Sequence, residues 1–508
     1  MKHQKKDKTL ASLGKLIQNL REERGISQEE LAQKIGTTQS AIARLESGSQ
    51  NISAGTLSKI SAALERNLIE LSKGRLDVQI QGASPLSGTI QTKTSKNAAV
   101  GLLCASLLNR GKTTLRNVPK IEEVNRIIEV LTSLDIKVRW QNSDLEIEPP
   151  QNFNIKNFDI EAGTKTRSII MLIGPLIHFL KKFSLPHVGG CRLGARTIAP
   201  HVFALEKLGV KIETKSKEYR ISQKKLKPNY IVLYETGDTV TENVLMAAAL
   251  IPSKTTIRFA SANYQVQDVC FFLQALGVKV EGIGTSTLIV HGLKEIKKDV
   301  EYSISEDPID SMFFIAAAAT TKSNITITRA PIDFLEIELL KLEKMGFRFK
   351  ISKRYKARNG ETDLVDITTY PSKLTAPPDK IEARPYPGLN IDNLPFFAVI
   401  ATQARGQTLI HDWVYEERAI YYKELDKLRA DTILADPHRL FVNGPTKLKA
   451  AEVVCPPALR PAAIILIGML AAEGTSILRN IYSINRGYED IVKRLQSLGA
   501  KIKILREI

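Results

Sequence analysis

Cysteine is scarce and scattered. The four residues Cys104, Cys191, Cys270 and Cys455 form no CxxC pair and no metal-ligand spacing. That argues against a disulfide framework and a cysteine-based metal site, so each thiol is either core filler or a reactive group. No metal and no cofactor is expected. Long apolar runs are missing too. The longest, near residues 169–180 and 462–472, fall short of the roughly 18–20 residues that span a bilayer. The opening MKHQKKDKTL is basic but lacks the apolar stretch of a signal peptide, so a cytoplasmic protein is expected. Acidic residues are in deficit, 54 against 72 Lys and Arg, for a net charge of +18. An anionic partner is favoured, and both nucleic acid and phosphorylated metabolites qualify. A general lysine-rich bias gives the same figure, so charge alone does not choose.

What is present is ample for burial. Apolar residues make up 43% of the 508 and charged residues 25%, as in ordinary globular chains. At about 100–200 residues per domain, three units are expected. The first, residues 1–72, reads as four short amphipathic helices. LASLGKLIQNLREERG ends at the capping Gly25. Ser27 caps SQEELAQKIG, with Glu30 completing a capping box. Gly36 closes that helix, Thr38 caps TQSAIARLESG, and a fourth helix follows over about 53–64. Two helices joined by a tight turn leave the second free to enter a DNA major groove.

Residues 10–65 resemble the Cro/repressor-type helix-turn-helix family, most clearly in SQEELAQKIGTTQSAIARLESG. The resemblance implies that Gln39, Ser40 and Arg44 face DNA, with Gln28 and Arg44 meeting phosphates. The competing reading is an interaction or dimerisation module that touches no DNA.

From Asp77 onward the organising fact is an internal repeat. Six segments share one plan: a small-residue apolar helix, a strand, a second helix, then leucine-glycine and a strand. AAVGLLCASLLNRGKTTLRNVPKIEEVNRIIEVLTSLDIKV is the first, and LRPAAIILIGMLAAEGTSILRNIYSINRGYEDIVKRLQSLGAKI the last. Starts fall roughly seventy residues apart, longer than solenoid periods of about 20–50. Each unit is a βαβαββ layer whose apolar helix packs only against sister units. Three units per domain and two domains is the natural division.

Six such units resemble the enolpyruvyl transferase family over residues 76–506. The fold class implied is α/β: a two-domain inside-out α/β barrel of six βαβαββ repeats, preceded here by an all-α helix-turn-helix domain. SKNAA at 95–99, GGCRLGAR at 189–196 and INRGYEDI at 484–491 favour the family branch that carries a cysteine loop. That branch transfers enolpyruvyl from phosphoenolpyruvate to UDP-N-acetylglucosamine in the first committed step of peptidoglycan synthesis. By the same resemblance the chain crosses between domains twice. One domain combines 76–95 with 305–508, and the other, carrying the cysteine loop, is 96–304.

Phosphoenolpyruvate brings a phosphate and a carboxylate, so several cations must converge on it. Lys96, Arg196, Arg418, Arg460 and Arg486 come from four of the six repeats, and arginine's planar fork suits both anions. The resemblance assigns phosphoenolpyruvate contact to Lys96, Asn97, Arg196, Arg418 and Arg486, and nucleotide phosphate contact to Arg167. His201, Val414 and Arg460 complete the implied substrate contacts. Addition of a hydroxyl to C2 and a proton to C3 needs a base and an acid. Asp392 in LNIDNLP matches the aspartate that contacts the acceptor hydroxyl, Cys191 matches the family's proton donor, and Lys96 joins them as catalytic. A guanidinium at Arg192 or Arg196 would bring the thiol toward neutral pKa.

Three departures stand out. Ala458 in CPPALRPA replaces an aspartate two residues before Arg460. TIAPH at 197–201 puts Ala199 where the family keeps an aspartate. Ala262-Asn263-Tyr264-Gln265 replaces an Arg-Glu-Pro-Glu segment. They leave two alternatives open: transfer to another nucleotide acceptor, or a DNA-binding regulator whose enzyme-like body senses a sugar nucleotide.

Overall fold

The computed structural model describes residues 14, 17–18, 21–22, 26–47, 50, 56, 59–60, 63–64, 76–155, 158–187 and 197–506. The chain divides into two compact units, residues 1–75 with 506–508 and residues 76–505.

In the first unit, helix Gln28–Ile35 opens on the expected capping box. Ser27 Oγ accepts from Glu30 N at 3.2 Å, and Glu30 Oε2 accepts from Ser27 N at 2.7 Å. Gly36 ends it in the left-handed region at φ 71°, where a Cβ would be strained. Thr38 caps helix Gln39–Glu46. Ile17, Leu31, Ile42, Leu45, Ile60 and Leu64 form the core beneath. Most of the first expected helix and most of the fourth lie outside the described residues.

The second unit carries six sheets among the described residues. In each, an antiparallel core of strands holds the outer face of one repeat. The apolar helices lie inside. Pro308–Thr321, Leu394–Ala401 and Leu459–Ala471 each touch the other two, and they are buried along nearly their whole length. A helix apolar on every side has to be surrounded by protein, and here sister helices supply that surround. Lys96–Ala105, Asp238–Ala249 and the segment 167–176 do the same in the other half. Two separate cores result, one built from residues 98–304 and one from 78–90 and 309–502, to which Tyr264 is added.

Strand pairing explains how 76–91 belongs with the C-terminal half. Leu76–Gln81 runs antiparallel to Thr475–Arg479, with Val78 opposite Leu478. Ser87–Gln91 runs parallel to Asn324–Pro331. Val300–Ser303 lies parallel to Thr113–Arg116 and closes the other half. The repeat survives in backbone geometry even where residue type has changed. The position after each second helix is left-handed at Asp135, Gly209, Gly277, Gly346, Arg429 and Gly499. Four are glycine; Asp135 and Arg429 hold the same turn without it.

Candidate functional site

One cleft of about 720 Å³ lies between the two halves of the second unit. Lys96, Asn97, Arg167 and His201 line one side. Asp392, Val414, Arg418, Arg460 and Arg486 line the other. Residues brought together from positions 96 to 486 thus share one wall-to-wall space. Cys191 and Arg196, with the rest of the glycine-flanked loop, lie outside the described residues.

Lys96 and Asn97 open the helix Lys96–Ala105, which Ser95 caps through Ala98 N at 3.1 Å. Lys96 Nζ sits 2.7 Å from Glu123 Oε2, and the other Glu123 oxygen accepts from Ser168 Oγ at 3.3 Å. Burial works against the Glu123 charge, but Lys96 and then Arg486 hold its carboxyl below the usual range. Asn97 Nδ2 donates to Tyr264 Oη at 2.9 Å.

Asp392 faces two arginines. Arg460 Nη2 is 3.0 Å from its Oδ2 and Arg418 Nη1 is 3.7 Å from its Oδ1. Burial penalises this carboxylate, yet Arg460 and Arg418 keep its pKa lowered. Arg418 is 1% exposed. Its Nε and Nη2 clamp Asp412 at 2.6 and 2.9 Å, and Nη2 also donates to the Ile391 carbonyl at 2.8 Å. Tyr422 Oη donates to the same Asp412 at 2.5 Å. Arg460 Nη1 donates to Tyr488 Oη at 2.9 Å. Both guanidinia are therefore fixed within protein and hold Asp392 in place.

Arg486 differs. Its Nε is buried and has no hydrogen-bond partner among the described residues. An unsatisfied charged donor on the cleft wall is a ready socket for an anion. Arg167 Nη2 donates to the Thr197 carbonyl at 3.2 Å. His201 is buried and accepts at Nδ1 from Asn243 Nδ2 at 3.1 Å. Val414 is 42% exposed on the rim. Ala458 occupies the N-cap of helix Leu459–Ala471 and gives it no side-chain cap.

Sequence reasoning missed Glu123, Tyr264, Asp412 and Tyr488. Glu123 looks like any first-turn acid on an amphipathic helix, and Asp412 stands just past a strand end. Neither spacing nor composition marks them: Glu123 meets Lys96 and Ser168, 27 and 45 positions away, and Asp412 takes Arg418 and Tyr422, 6 and 10 positions on, at no helical or strand period. Three cysteines, Cys104, Cys270 and Cys455, are buried and free. Burial pushes their thiols up, with Glu242 adding to the rise at Cys104 and Cys270; such thiols are inert core filler.

On the small unit, Gln39 and Ser40 are exposed on the first turn of helix Gln39–Glu46, and Arg44 is exposed about one turn along. Gln39 Nε2 donates to Gln28 Oε1 at 2.7 Å, and Gln28 Nε2 donates to Glu46 at 2.8 Å. Arg44 Nε donates to Gln50 Oε1 at 3.1 Å. No helix among the described residues is long and apolar enough to cross a membrane.

Residues 80–495 match the family described as EPSP synthase (3-phosphoshikimate 1-carboxyvinyltransferase), and residues 17–71 match the helix-turn-helix family. A UDP-N-acetylglucosamine 1-carboxyvinyltransferase of Bradyrhizobium diazoefficiens is 33% identical over 432 residues, covering 84% of this chain and 98% of the relative. One from Treponema denticola is 33% identical over 437 residues, with the same coverage of both. Among solved structures, the enolpyruvyl transferase NikO from Streptomyces tendae superposes with a TM-score of 0.72 at 22% identity. It covers 86% of this chain and 100% of its own.

Proposed function

The chain belongs to the family described as EPSP synthase, and from that premise we propose that its body is a UDP-N-acetylglucosamine 1-carboxyvinyltransferase. It transfers enolpyruvyl from phosphoenolpyruvate to a hydroxyl of UDP-N-acetylglucosamine and releases phosphate, the first committed step of peptidoglycan synthesis. The observation that carries this reading is Asp392, kept ionised by Arg460 and Arg418 in a cleft shared with Lys96, Asn97 and Arg486. The two relatives above bear the name of this reaction and support the acceptor.

In this reading Lys96 and Arg486 take the phosphate and carboxylate of phosphoenolpyruvate, with Arg196 joining from the loop. Asn97 bonds the same ligand while Tyr264 holds its amide. Arg167 meets the nucleotide phosphates, and His201 and Val414 border the nucleotide. Arg418 and Arg460 act by orienting Asp392. The Asp392 carboxylate aligns the acceptor hydroxyl and takes its proton as the oxygen bonds to C2. Cys191 gives a proton to C3, forming a tetrahedral adduct. Phosphate then leaves C2 as a proton leaves C3, which restores the methylene double bond. The halves 76–95 with 305–508 and 96–304 serve as the domains that flank this chemistry.

Phosphate release from phosphoenolpyruvate with UDP-N-acetylglucosamine tests the proposal. Release only with a different nucleotide sugar would move the acceptor, a reading that Ala199 favours. Silence with every acceptor would turn the body into a sensor. The small unit is read as a DNA binder through Gln39, Ser40 and Arg44, testable by salt-dependent anisotropy on duplex DNA.

A further inference from the structure

The turn that presents Asp392 rests on a buried acid. Glu338, on helix Glu336–Lys344, is 1% exposed, and Asn393 is fully buried. Glu338 Oε1 accepts from Asn390 N at 3.0 Å and from Asn393 Nδ2 at 2.9 Å. Asn390 Oδ1 in turn accepts from Asp392 N at 2.8 Å. The same two side chains each retain one orphan. Glu338 Oε2 and Asn393 Oδ1 are buried with no hydrogen-bond partner among the described residues.

Two orphan acceptors on a carboxyl and a carboxamide already joined by one bond call for a proton between them. A buried acceptor left unpaired keeps its full desolvation penalty, and a single proton on Oε2 removes both orphans. We infer that Glu338 is a neutral carboxylic acid closing a two-bond ring with the Asn393 carboxamide, and that this pair positions the turn carrying Asp392. Asn393 Nδ2 donates to Oε1, and Oε2–H donates to Asn393 Oδ1. An ionised Glu338 would instead leave both acceptors unpaired and loosen residues 390–393.

The electrical surroundings agree. Burial pushes the Glu338 carboxyl up to about 7, opposed by the bonds from Asn393 and Asn390 and by Lys341 one turn along its own helix. Lys341 is a charged neighbour on its own helix, and the turn facing it contributes the neutral Asn390 and Asn393. Glu338 is a positioning residue, since it reaches the chemistry only through the Asp392 turn. That consequence rests on the proposed function. The ring itself does not.

The ring is tested on the full chain without substrate by melting wild type, Glu338→Gln and Glu338→Ala between about pH 5 and 8. A carboxyl raised in the folded state lends stability that falls away as pH rises from the unfolded value to the folded one. Wild type should lose melting temperature over that window relative to Glu338→Gln, whose amide donates to Asn393 Oδ1 at every pH. Glu338→Ala should lie below both throughout. Parallel curves for wild type and Glu338→Gln, or a Gln variant less stable than wild type at pH 8, would overturn the ring. Infrared difference spectra give an arm independent of melting: wild type at about pH 6 should show a protonated carboxyl band that Glu338→Gln lacks. Its absence also overturns the assignment. For the positioning role, Glu338→Ala should lower kcat about tenfold with KM for phosphoenolpyruvate nearly unchanged, and Glu338→Gln should restore it. Loss of KM instead of kcat, or no rescue by Gln, would refute positioning while leaving the ring standing.

Discussion

Asn243 fixes the tautomer of His201. Its Oδ1 accepts from Gly174 N at 2.7 Å and its Nδ2 donates to the Ile170 carbonyl at 3.0 Å, so the amide cannot be turned round. The 3.1 Å contact to His201 Nδ1 is therefore a donation from Nδ2, and the ring proton sits on Nε2, beside Thr239 Oγ1 at 3.4 Å. Burial, with Arg167 adding, lowers this imidazole to about 3. It stays neutral in the fold while the unfolded chain protonates, so its share of stability is present above about pH 6.5 and is lost as pH falls. Between about pH 7 and 5 that loss is on the order of 2 kcal/mol. His201→Asn should flatten the acid limb of the body's unfolding curve. Denaturant titrations at the two pH values check this, and an unchanged acid slope would count against it.

Lys96 meets Glu123 at 2.7 Å in the cleft, so an incoming phosphate competes with a carboxylate already in place. Lys96→Ala should lower kcat/KM for phosphoenolpyruvate by about 100-fold or more, the loss of one charge-assisted contact in a confined site. Glu123→Gln should do the opposite to simple anions and tighten inorganic phosphate binding, measured by calorimetry. Weaker binding by that variant would make Glu123 a support for Lys96 and not its competitor.

The repeated body was legible because each repeat writes the same buried helix and the same helix-ending turn, and only shared burial explains both. The capping box at Ser27 and Glu30 was legible for the same reason: its partners are three residues apart. Local chemistry can be read locally. The cations on the cleft could be named through family resemblance, but their states could not. Arg418 reads as a ligand arm in sequence, yet Asp412, Ile391 and Tyr415 hold it. Those contacts lie within residues 391–418 but depend on the path of the loop, and no periodicity records them. Glu338 and Asn393, 55 positions apart, were invisible for that reason.

In the small unit, Glu46 is 6% exposed and takes Arg21 Nε at 2.6 Å, Arg21 Nη2 at 3.0 Å and Gln28 Nε2 at 2.8 Å. Removing one partner of a buried pair strands the other, at about 3–5 kcal/mol. Glu46→Ala should unfold this unit and abolish DNA binding while phosphate release continues. Arg44→Ala should leave the fold intact and reduce the salt slope of DNA binding by about one. Circular dichroism and anisotropy separate the two, and DNA binding untouched by Arg44→Ala would return the unit to a protein-interaction role.

Ala458 stands at an N-cap with extended backbone, φ −95° and ψ 133°, and caps nothing. An aspartate there has the right geometry to accept from the first turn of helix Leu459–Ala471, worth about 1 kcal/mol. It would also pull on Arg460, which now holds Asp392 at 3.0 Å. Sharing that guanidinium weakens the charge that keeps the Asp392 pKa low. Ala458→Asp should therefore raise the melting temperature and shift the acid limb of kcat to higher pH, because Asp392 protonates sooner. Thermal melts and a pH–rate profile measure the two effects separately. A lowered melting temperature would mean that the 1% exposed site has no room for a carboxylate. An unmoved acid limb with raised stability would mean that Arg460 serves Asp392 undivided, and that the missing aspartate has little bearing on the reacting centre.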